Sequence, residues 1–269
     1  MSLLQLRTRL KTIRSLNSIF SALEVVTVVR TKRVREPFQM MGRYLQPLRE
    51  VLAGRVGEAA TAQKVLVVIT SNRGLCGSFN NLVTAKAREF LARNPEAALV
   101  FIGRFGAVRL GKLNRKVLFS APDIAEKTSF ARTEELAEKL AGLQAEIFIA
   151  YNSYKSAVVQ VPKIYRFFPV PEELASKENP AEFILEPTPA EVTAGMFRHY
   201  LAVRLFQILL DSQMGELSAR LMVLNGAIDT SKELTDTLFI QINKARQGAI
   251  TKDLLEIVSA AEALRRDDD

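Results

Sequence analysis

The hydrophobic positions divide this chain into two ends with helical spacing and a middle with strand-like runs. Near the start, apolar residues recur every three or four positions, at residues 6, 10, 13, 16, 20, 23 and 26. The same spacing returns at Val192 and continues to Val258. Apolar residues at threes and fours form one stripe along a helix, and a narrow stripe is typical of a coiled-coil seam. The pattern therefore predicts two long terminal helices that pack as an antiparallel coiled coil.

Capping and helix-breaking residues indicate where these two helices begin and where they could be interrupted. Residues 188–191 (TPAE) form a capping box with proline at the first helical position, and no proline follows that position. At 1.5 Å per residue the two helices would reach roughly 80 Å and roughly 115 Å. Pro37 and Pro47 each cost about 3 kcal/mol inside a helix, so we expect a kink or a break near one of them. The β-branched residues 25–29 (VVTVV) are expected to be held by contacts on all sides.

The middle of the chain has the pattern of an α/β domain. Five apolar runs predict strands at residues 64–70, 98–102, 116–120, 146–150 and 157–168, and helical patterns separate them at about 79–93, 105–113 and 132–142. The first run has no polar alternation, as in a strand that is buried on both faces of a parallel sheet. Strands that alternate with helices predict a Rossmann-like, doubly wound sheet with right-handed crossovers. Pro162 favours an edge position for the last strand.

These patterns predict an α/β fold in three parts. They are an N-terminal coiled-coil helix at 1–55, an α/β globular domain at 64–170 and a C-terminal coiled-coil helix at 188–266. Residues 54–63 have the composition of a linker, and residues 169–188 contain four prolines and form an irregular connection. No run approaches 18 uninterrupted apolar residues, so direct insertion into a membrane is not expected. Helical pattern from about Leu3 leaves no room for a signal or transit peptide.

The positive charge lies at the start of the chain. The formal net charge is +8, and residues 1–55 hold 11 Lys/Arg against three Asp/Glu, so the remaining bases and acids balance. A basic helix attracts nucleic acid, anionic lipid or an acidic protein surface, and charge alone leaves these open. One alternative is therefore a nucleic-acid-associated coiled-coil protein. The chain has no Trp and five Tyr, which leaves few aromatic rings to stack on bases.

Few residues suggest catalysis. The glycine-rich loop at 70–80 (TSNRGLCGSFN) follows a strand and precedes a helix, where α/β folds bind phosphate. It matches neither phosphate-binding motif, so a tight turn with Gly74 or Gly77 at positive φ is the favoured interpretation. Cys76 is the single cysteine and His199 the single histidine. They supply no nucleophile with a plausible base and no metal site, and a packed thiol is expected. A single cysteine also excludes an intramolecular disulfide.

Three further segments stand out beside the loop at 70–80: residues 160–170 (QVPKIYRFFPV), 215–224 (GELSARLMVL) and 243–264 (NKARQGAITKDLLEIVSAAEAL). Together the four segments resemble one known family, the gamma subunit of F-type ATP synthase. The resemblance runs nearly end to end and marks a somewhat divergent member. Asn72 stands where the family usually has aspartate, and Val28 and Val29 lie in a stretch that is usually rich in alanine.

The resemblance implies a rotary central stalk. The terminal helices would form a shaft inside a ring of six alternating alpha and beta subunits, which hold the catalytic sites. The α/β domain would sit on the membrane rotor ring beside an epsilon-like subunit. The chain itself would catalyse nothing and would bind no cofactor, metal or nucleic acid. It would lie on the cytoplasmic face of a bacterial inner membrane, or on the matrix or stroma side of an organelle membrane.

The resemblance also implies which residues contact the hexamer. Arg220, Gln247 and Thr251 match ring-contacting positions of the C-terminal helix, Asp253 and Glu256 lie nearby, and Arg246 belongs to the same motif. On the first helix, Leu23 and Arg30 match positions near the acidic lever segment of a catalytic subunit. The amides, hydroxyl and arginine of the C-terminal motif suit directional hydrogen bonds to a surrounding partner, whereas an ordinary solvated face is the alternative.

Overall fold

The computed structural model describes residues 2–54, 63–126, 128–169, 171, 174 and 183–267, with side chains as far as residue 259. Most of the linker predicted at 54–63, much of the connection at 169–188 and the charged tail lie outside these residues. The helices and strands follow in chain order: α1 (Leu3–Leu52), β1 (Lys64–Ile69), α2 (Phe79–Arg93), β2 (Ala98–Ile102), α3 (Arg104–Leu110), β3 (Val117–Ser120), α4 (Pro122–Glu126), α5 (Phe130–Ala141), β4 (Glu146–Tyr154), β5 (Gln160–Phe168) and α6 (Pro189–Asp267). The predicted α/β class, with long N- and C-terminal helices, is confirmed.

The five strands form one sheet in the order β3-β2-β1-β4-β5. The first four strands are parallel, and β5 runs antiparallel to β4 at the edge. Pro162 therefore lies on an edge strand, as predicted. Strand order reverses between β1 and β4, and the carboxyl end of β1 at such a switch point is where side chains and loops converge.

Apolar side chains cover both faces of the sheet. One cluster joins alternate residues of β1, β2 and β4 to α5 and to Leu201, Leu205 and Ile208 of α6. The second joins the other residues of β1 and β2 to α2 and to Leu110 of α3. Residues 65–68 are completely buried, as the unbroken apolar run predicts for a central strand. The last helix thus supplies part of the core of the sheet.

The predicted capping box at the start of α6 is half formed, because the Glu191 carboxylate bonds the Thr188 hydroxyl and not the Thr188 backbone N–H. The Thr188 hydroxyl accepts a hydrogen bond from the Glu191 amide at 3.3 Å, and the two side chains are bonded at 3.0 Å. Of the kink or break predicted in α1, a break does not occur, because the helix runs through both prolines. Phe38 and Leu45, which lie between the two prolines, pack against α6, so tertiary contacts hold the helix.

The chain divides into two compact units: residues 1–26 with 224–269, and residues 27–223. The three-part division made from the sequence stays a prediction. In the larger unit, Leu45 packs against Tyr200 and Val203, whereas Val34 packs against Leu210 and Met214. As residue numbers rise along α1, the residues that they contact in α6 have falling numbers, so the two helices are antiparallel there. In the smaller unit, Leu3, Leu6, Leu10 and Ile13 pack against Leu238, Ile242 and Ala245.

Two details of the predicted α1 seam are wrong. Leu16 and Val26 are exposed, at 39% and 49%, although the spacing placed them in the seam. Thr27 is 4% exposed and occupies the buried position beside Val26. Contacts on all sides of residues 25–29 are also absent within the described part of the chain, since the four valines are 37–63% exposed.

Candidate functional site

The glycine-rich loop at residues 70–80, between β1 and α2, is stabilised by hydrogen bonds among its own side chains, and we call it the signature loop. The buried Asn80 amide accepts a hydrogen bond from the Ser71 backbone N–H at 2.9 Å and donates one to the Ser71 hydroxyl at 2.7 Å. Gly77 has φ +56° and Leu75 has φ 59°, so the turn uses the left-handed region twice. The predicted tight turn with Gly77 at positive φ is confirmed. This loop is held rigidly at the carboxyl end of β1.

Arg220 of α6 binds this loop, although it lies 146 residues after Gly74 in the chain. Its Nε donates to the Gly74 carbonyl at 3.3 Å, and Nη2 donates to the Arg73 carbonyl at 3.4 Å. Nη2 also binds Glu216 Oε1 at 2.6 Å, one helical turn earlier. The two side chains are only 11% and 14% exposed. We call Arg220, Glu216 and the two loop carbonyls the loop clasp.

Burial and charge act in opposite directions on Glu216. Burial raises the pKa of its carboxyl, and the neighbouring Arg220 guanidinium lowers that pKa. The effect of burial is the larger, so the pKa of Glu216 lies above its ordinary value. The carboxylate therefore depends on Arg220 to stay ionised in a place that water hardly reaches.

A second ion pair borders the clasp. Arg73 Nη2 lies 2.5 Å from Glu126 Oε1, and Arg30 Nη2 lies 4.0 Å from the same oxygen. Arg30, predicted to face an acidic segment of a partner, thus already has a carboxylate of its own chain within reach. Its side chain remains 42% exposed.

Cys76 and His199 are packed rather than arranged for chemistry. Cys76 is 3% exposed, and burial raises the pKa of its thiol. The Asn80 amide donates to its sulfur at 3.2 Å, and the Ser71 hydroxyl lies 3.7 Å away. His199 Nε2 is bonded to the Tyr44 hydroxyl at 2.9 Å. Within the described residues, no group of three His, Cys, Asp or Glu side chains is placed to hold a metal ion.

The C-terminal motif lies on a fully exposed stretch of α6. Every described side chain from residue 246 to residue 259 is exposed, including Arg246, Gln247, Thr251, Asp253 and Glu256. The Thr251 hydroxyl donates to the Gln247 carbonyl at 3.0 Å, and Glu256 pairs with Lys252 at 3.5 Å. Five large apolar side chains accompany them at 51–66% exposure: Ile250, Leu254, Leu255, Ile257 and Val258. We call residues 246–259 the bare tip.

Leu23 is half-buried in the first helix, next to the exposed valines at 25, 26, 28 and 29. One 18-residue window of α1 is apolar enough to cross a membrane by length and composition, with mean hydropathy 1.3. One such helix is weak support for a span, since a helix covered by another protein passes the same test. An exposed apolar surface of this kind is expected to be a site of contact with another molecule.

Sequence reasoning missed three carboxylates that bond to other groups of the chain. No carboxylate was singled out there, yet Glu216 and Glu126 anchor the arginines of this region, and Asp211 accepts a hydrogen bond from the Tyr154 amide at 2.7 Å. The spacing of four residues between Glu216 and Arg220 was the available signal. The structure also separates two predicted contact residues, since Arg220 is buried in the larger unit whereas Gln247 is exposed in the smaller one.

Three comparisons with known proteins agree. A family model described as ATP synthase matches residues 2–264. The ATP synthase gamma chains of Chlorobium luteolum and Pelotomaculum thermopropionicum are each 30% identical to this chain, over 98% of it and 99% of their own length. The gamma chain of Chlorobium limicola is 29% identical over the same shares.

Solved structures share the fold. A chain of the Euglena gracilis mitochondrial ATP synthase, in a structure of OSCP, F1 and c-ring, matches with a TM-score of 0.75 at 17% identity and covers 99% of this chain and 96% of its own. A chain from the central stalk and c-ring of the Tetrahymena thermophila enzyme has a TM-score of 0.60 at 20% identity, with 78% and 99% covered. End-to-end relatives at 30% identity and a family match over residues 2–264 lead to one conclusion: the chain belongs to the ATP synthase family, among its gamma chains.

Proposed function

We infer that this chain is the rotating central-stalk subunit of an F-type ATP synthase. It couples ion flow through the membrane sector to the synthesis or hydrolysis of ATP in the catalytic hexamer. Its partners are the alpha and beta subunits of that hexamer, an epsilon-like subunit and the membrane rotor ring. Membership of the gamma-chain family supports this role, and so do the structural neighbours from F1, c-ring and central-stalk assemblies.

The exposure of the bare tip is the observation that supports this proposal most directly. Residues 201–203 of α6 are almost completely buried inside the chain, whereas residues 246–259 of the same helix are exposed on every side. The five large apolar side chains of the tip lie within about 160° of the helix circumference, at about 100° per residue, and an exposed apolar face of this kind is expected to be covered by a partner. A subunit of the enclosing ring supplies such a cover.

The chain is not itself catalytic in this proposal. Cys76 is buried among neutral hydrogen-bonding groups, and His199 is tied to Tyr44. The signature loop is closed by the loop clasp, which uses its carbonyls to bind α6. The chain therefore acts by its position, and the chemistry belongs to the hexamer that encloses it.

The proposed hexamer contacts form two groups. The tip residues Arg246, Gln247, Thr251, Asp253 and Glu256 are exposed and offer amide, hydroxyl and charged groups to an enclosing surface. Leu23, Arg30 and Arg220 form the second group, of which Arg220 is the most buried. Its Nη1 forms no hydrogen bond to any described residue, so that nitrogen is the part of the guanidinium left for a partner.

Rotation can be coupled to catalysis only by contacts whose strength differs between rotary states. Gln247→Ala and Thr251→Ala should therefore lower multisite ATP turnover and ion-driven synthesis in the assembled complex. A neutral hydrogen bond worth about 1 kcal/mol corresponds to about a fivefold loss. Nucleotide binding at a single catalytic site should stay at the wild-type level. Gln39→Ala is the matched control, because Gln39 is an exposed glutamine of α1 outside the tip.

The proposed location follows from the role. The chain is part of the peripheral F1 sector, and we place it on the cytoplasmic face of a bacterial inner membrane or on the corresponding side of an organelle membrane. Full turnover and synthesis in both tip variants, with assembly intact, would contradict the assignment of the tip. Retention of the chain on DNA at physiological salt, without hexamer subunits, would favour the nucleic-acid alternative.

A further inference from the structure

A cavity of about 790 Å³ lies at the amino-terminal edge of the parallel strands. Lys64 begins β1, Ala98 begins β2 and Lys116 directly precedes β3, and all three line it. The Leu99 amide donates to the Lys116 carbonyl at 2.8 Å, so the loop that carries Lys116 is bonded to the sheet. The signature loop, in contrast, follows the carboxyl end of β1. The cavity is therefore separate from the features that the proposed function uses.

The charge of this cavity is strongly positive. Four of its lining residues are cations and one is a carboxylate: Lys64, Arg93, Arg115 and Lys116 against Glu96. None of the four cations forms an ion pair with any carboxylate in the described part of the chain, whereas arginines of the clasp region pair with Glu126 and Glu216. Four like charges around one cavity repel each other, and an anion bound between them relieves that repulsion.

Two of the cations are held in place by neutral groups. Lys64 Nζ donates to the Asn94 side-chain oxygen at 3.0 Å, and Arg115 Nη2 donates to the Leu91 carbonyl at 3.4 Å. Lys64 stands on a strand, Leu91 lies in the last turn of α2 and Asn94 caps that helix. These bonds orient the side chains without cancelling their charge. Donors that are oriented by neutral partners keep their charge available to a ligand, as a binding site requires.

We propose that this cavity binds a ligand with two or more phosphate groups. Arginine binds phosphate through two parallel N–H bonds, and lysine contributes a compact positive charge. The volume is in the ordinary range for small-molecule sites. No aromatic side chain is among the lining residues, so nothing offers to stack on a nucleobase. The recognised part is therefore the phosphate groups, either of a soluble diphosphate or of a diphosphate lipid headgroup.

Titration of the full chain with inorganic pyrophosphate tests the proposal by calorimetry. Saturable one-to-one binding is expected, with orthophosphate weaker. Arg115→Gln with Lys116→Gln should weaken pyrophosphate binding about a hundredfold, because each of the two charge-assisted bonds is worth about one decade. Lys112→Gln is the matched control, since Lys112 is an exposed cation of the same loop region outside the cavity lining. Glu96→Gln should instead tighten binding, which keeps the test decisive if the double variant folds poorly.

Flotation with phosphatidylcholine vesicles, with and without cardiolipin, separates the two sources of phosphate. Pyrophosphate binding with no cardiolipin-dependent flotation identifies a soluble ligand. Flotation that requires cardiolipin and is lost in the double variant identifies a lipid headgroup. The proposal is overturned if neither pyrophosphate binding nor cardiolipin-dependent flotation is seen. It is also overturned if Lys112→Gln weakens binding as much as the double variant does, because the binding would then depend only on the overall positive charge of the chain.

Discussion

Replacing Arg220 with alanine should destabilise the folded chain by about 3–5 kcal/mol at pH 8. The magnitude follows from the loop clasp, where the guanidinium lies 2.6 Å from Glu216 and both side chains are nearly buried. Breaking such a pair strands an uncompensated carboxylate. The two bonds to the carbonyls of Arg73 and Gly74 are long, at 3.4 and 3.3 Å, so they add at most about 1 kcal/mol.

The loss should depend on pH. Burial already raises the pKa of Glu216, and removal of Arg220 removes the main group that lowers it. In the variant the folded chain binds a proton at Glu216 more tightly than the unfolded chain does. Stability is then retained at low pH and lost as pH rises through the raised folded-state pKa. Arg220→Ala should therefore cost less at pH 6 than at pH 8.

Urea unfolding of the full chain, followed by circular dichroism, measures both effects. Lys252→Ala serves as the control, because its ion pair with Glu256 is 76% and 65% exposed and should cost less than about 0.5 kcal/mol. Arg220→Ala combined with Glu216→Gln should lose the part of the pH dependence that comes from Glu216, since no carboxylate remains at that position. A cost below about 1 kcal/mol at both pH values, or an equal cost at both, would refute the reasoning.

Three further outcomes follow from other positions. Gly103→Ala should lower the free energy of unfolding by at least about 3 kcal/mol, as measured by thermal unfolding, because φ is +100° and the new Cβ would lie 1.9 Å from the Thr70 backbone oxygen. Gly42→Ala is the control: it has open space around it and should stabilise α1 slightly. Burial raises the pKa of Asp211, so wild-type stability relative to Asp211→Asn should rise as pH falls below the folded-state pKa; a constant difference from pH 7 to pH 4 contradicts this. Cys76→Ser should leave ATP turnover of the complex near wild type, and iodoacetamide should modify the native thiol slowly, since burial raises its pKa.

The sheet was predictable because its signals are local. The unbroken apolar run at β1 and the proline in β5 each reflect a backbone property that acts within a few residues. The helix α4 was missed, since five residues carry too little periodicity to stand out. The continuity of α1 was missed for the opposite reason: the proline penalty is local, but packing of Phe38 and Leu45 against α6 outweighs it.

The clasp was beyond a sequence argument. Arg220 and Gly74 are 146 residues apart, and no periodicity connects a guanidinium to a distant carbonyl. Resemblance placed Arg220 among contacts to other subunits, and whether those contacts form remains a prediction. Gln247 and Thr251 are exposed, but so is every described side chain from residue 246 to residue 259, so the polar face predicted there stays a prediction.

The bare tip also has a consequence for the life of the chain before assembly. Fourteen residues of single helix are marginal in water, so the free tip should open often and present its leucines and isoleucines to chaperones and proteases. We expect the cellular amount of this chain to follow that of its enclosing subunits, with excess copies degraded or aggregated. A pulse-chase in cells that lack those subunits, compared with a chain truncated before residue 246, measures this directly; equal lifetimes would show that the tip does not mark the unassembled chain for removal.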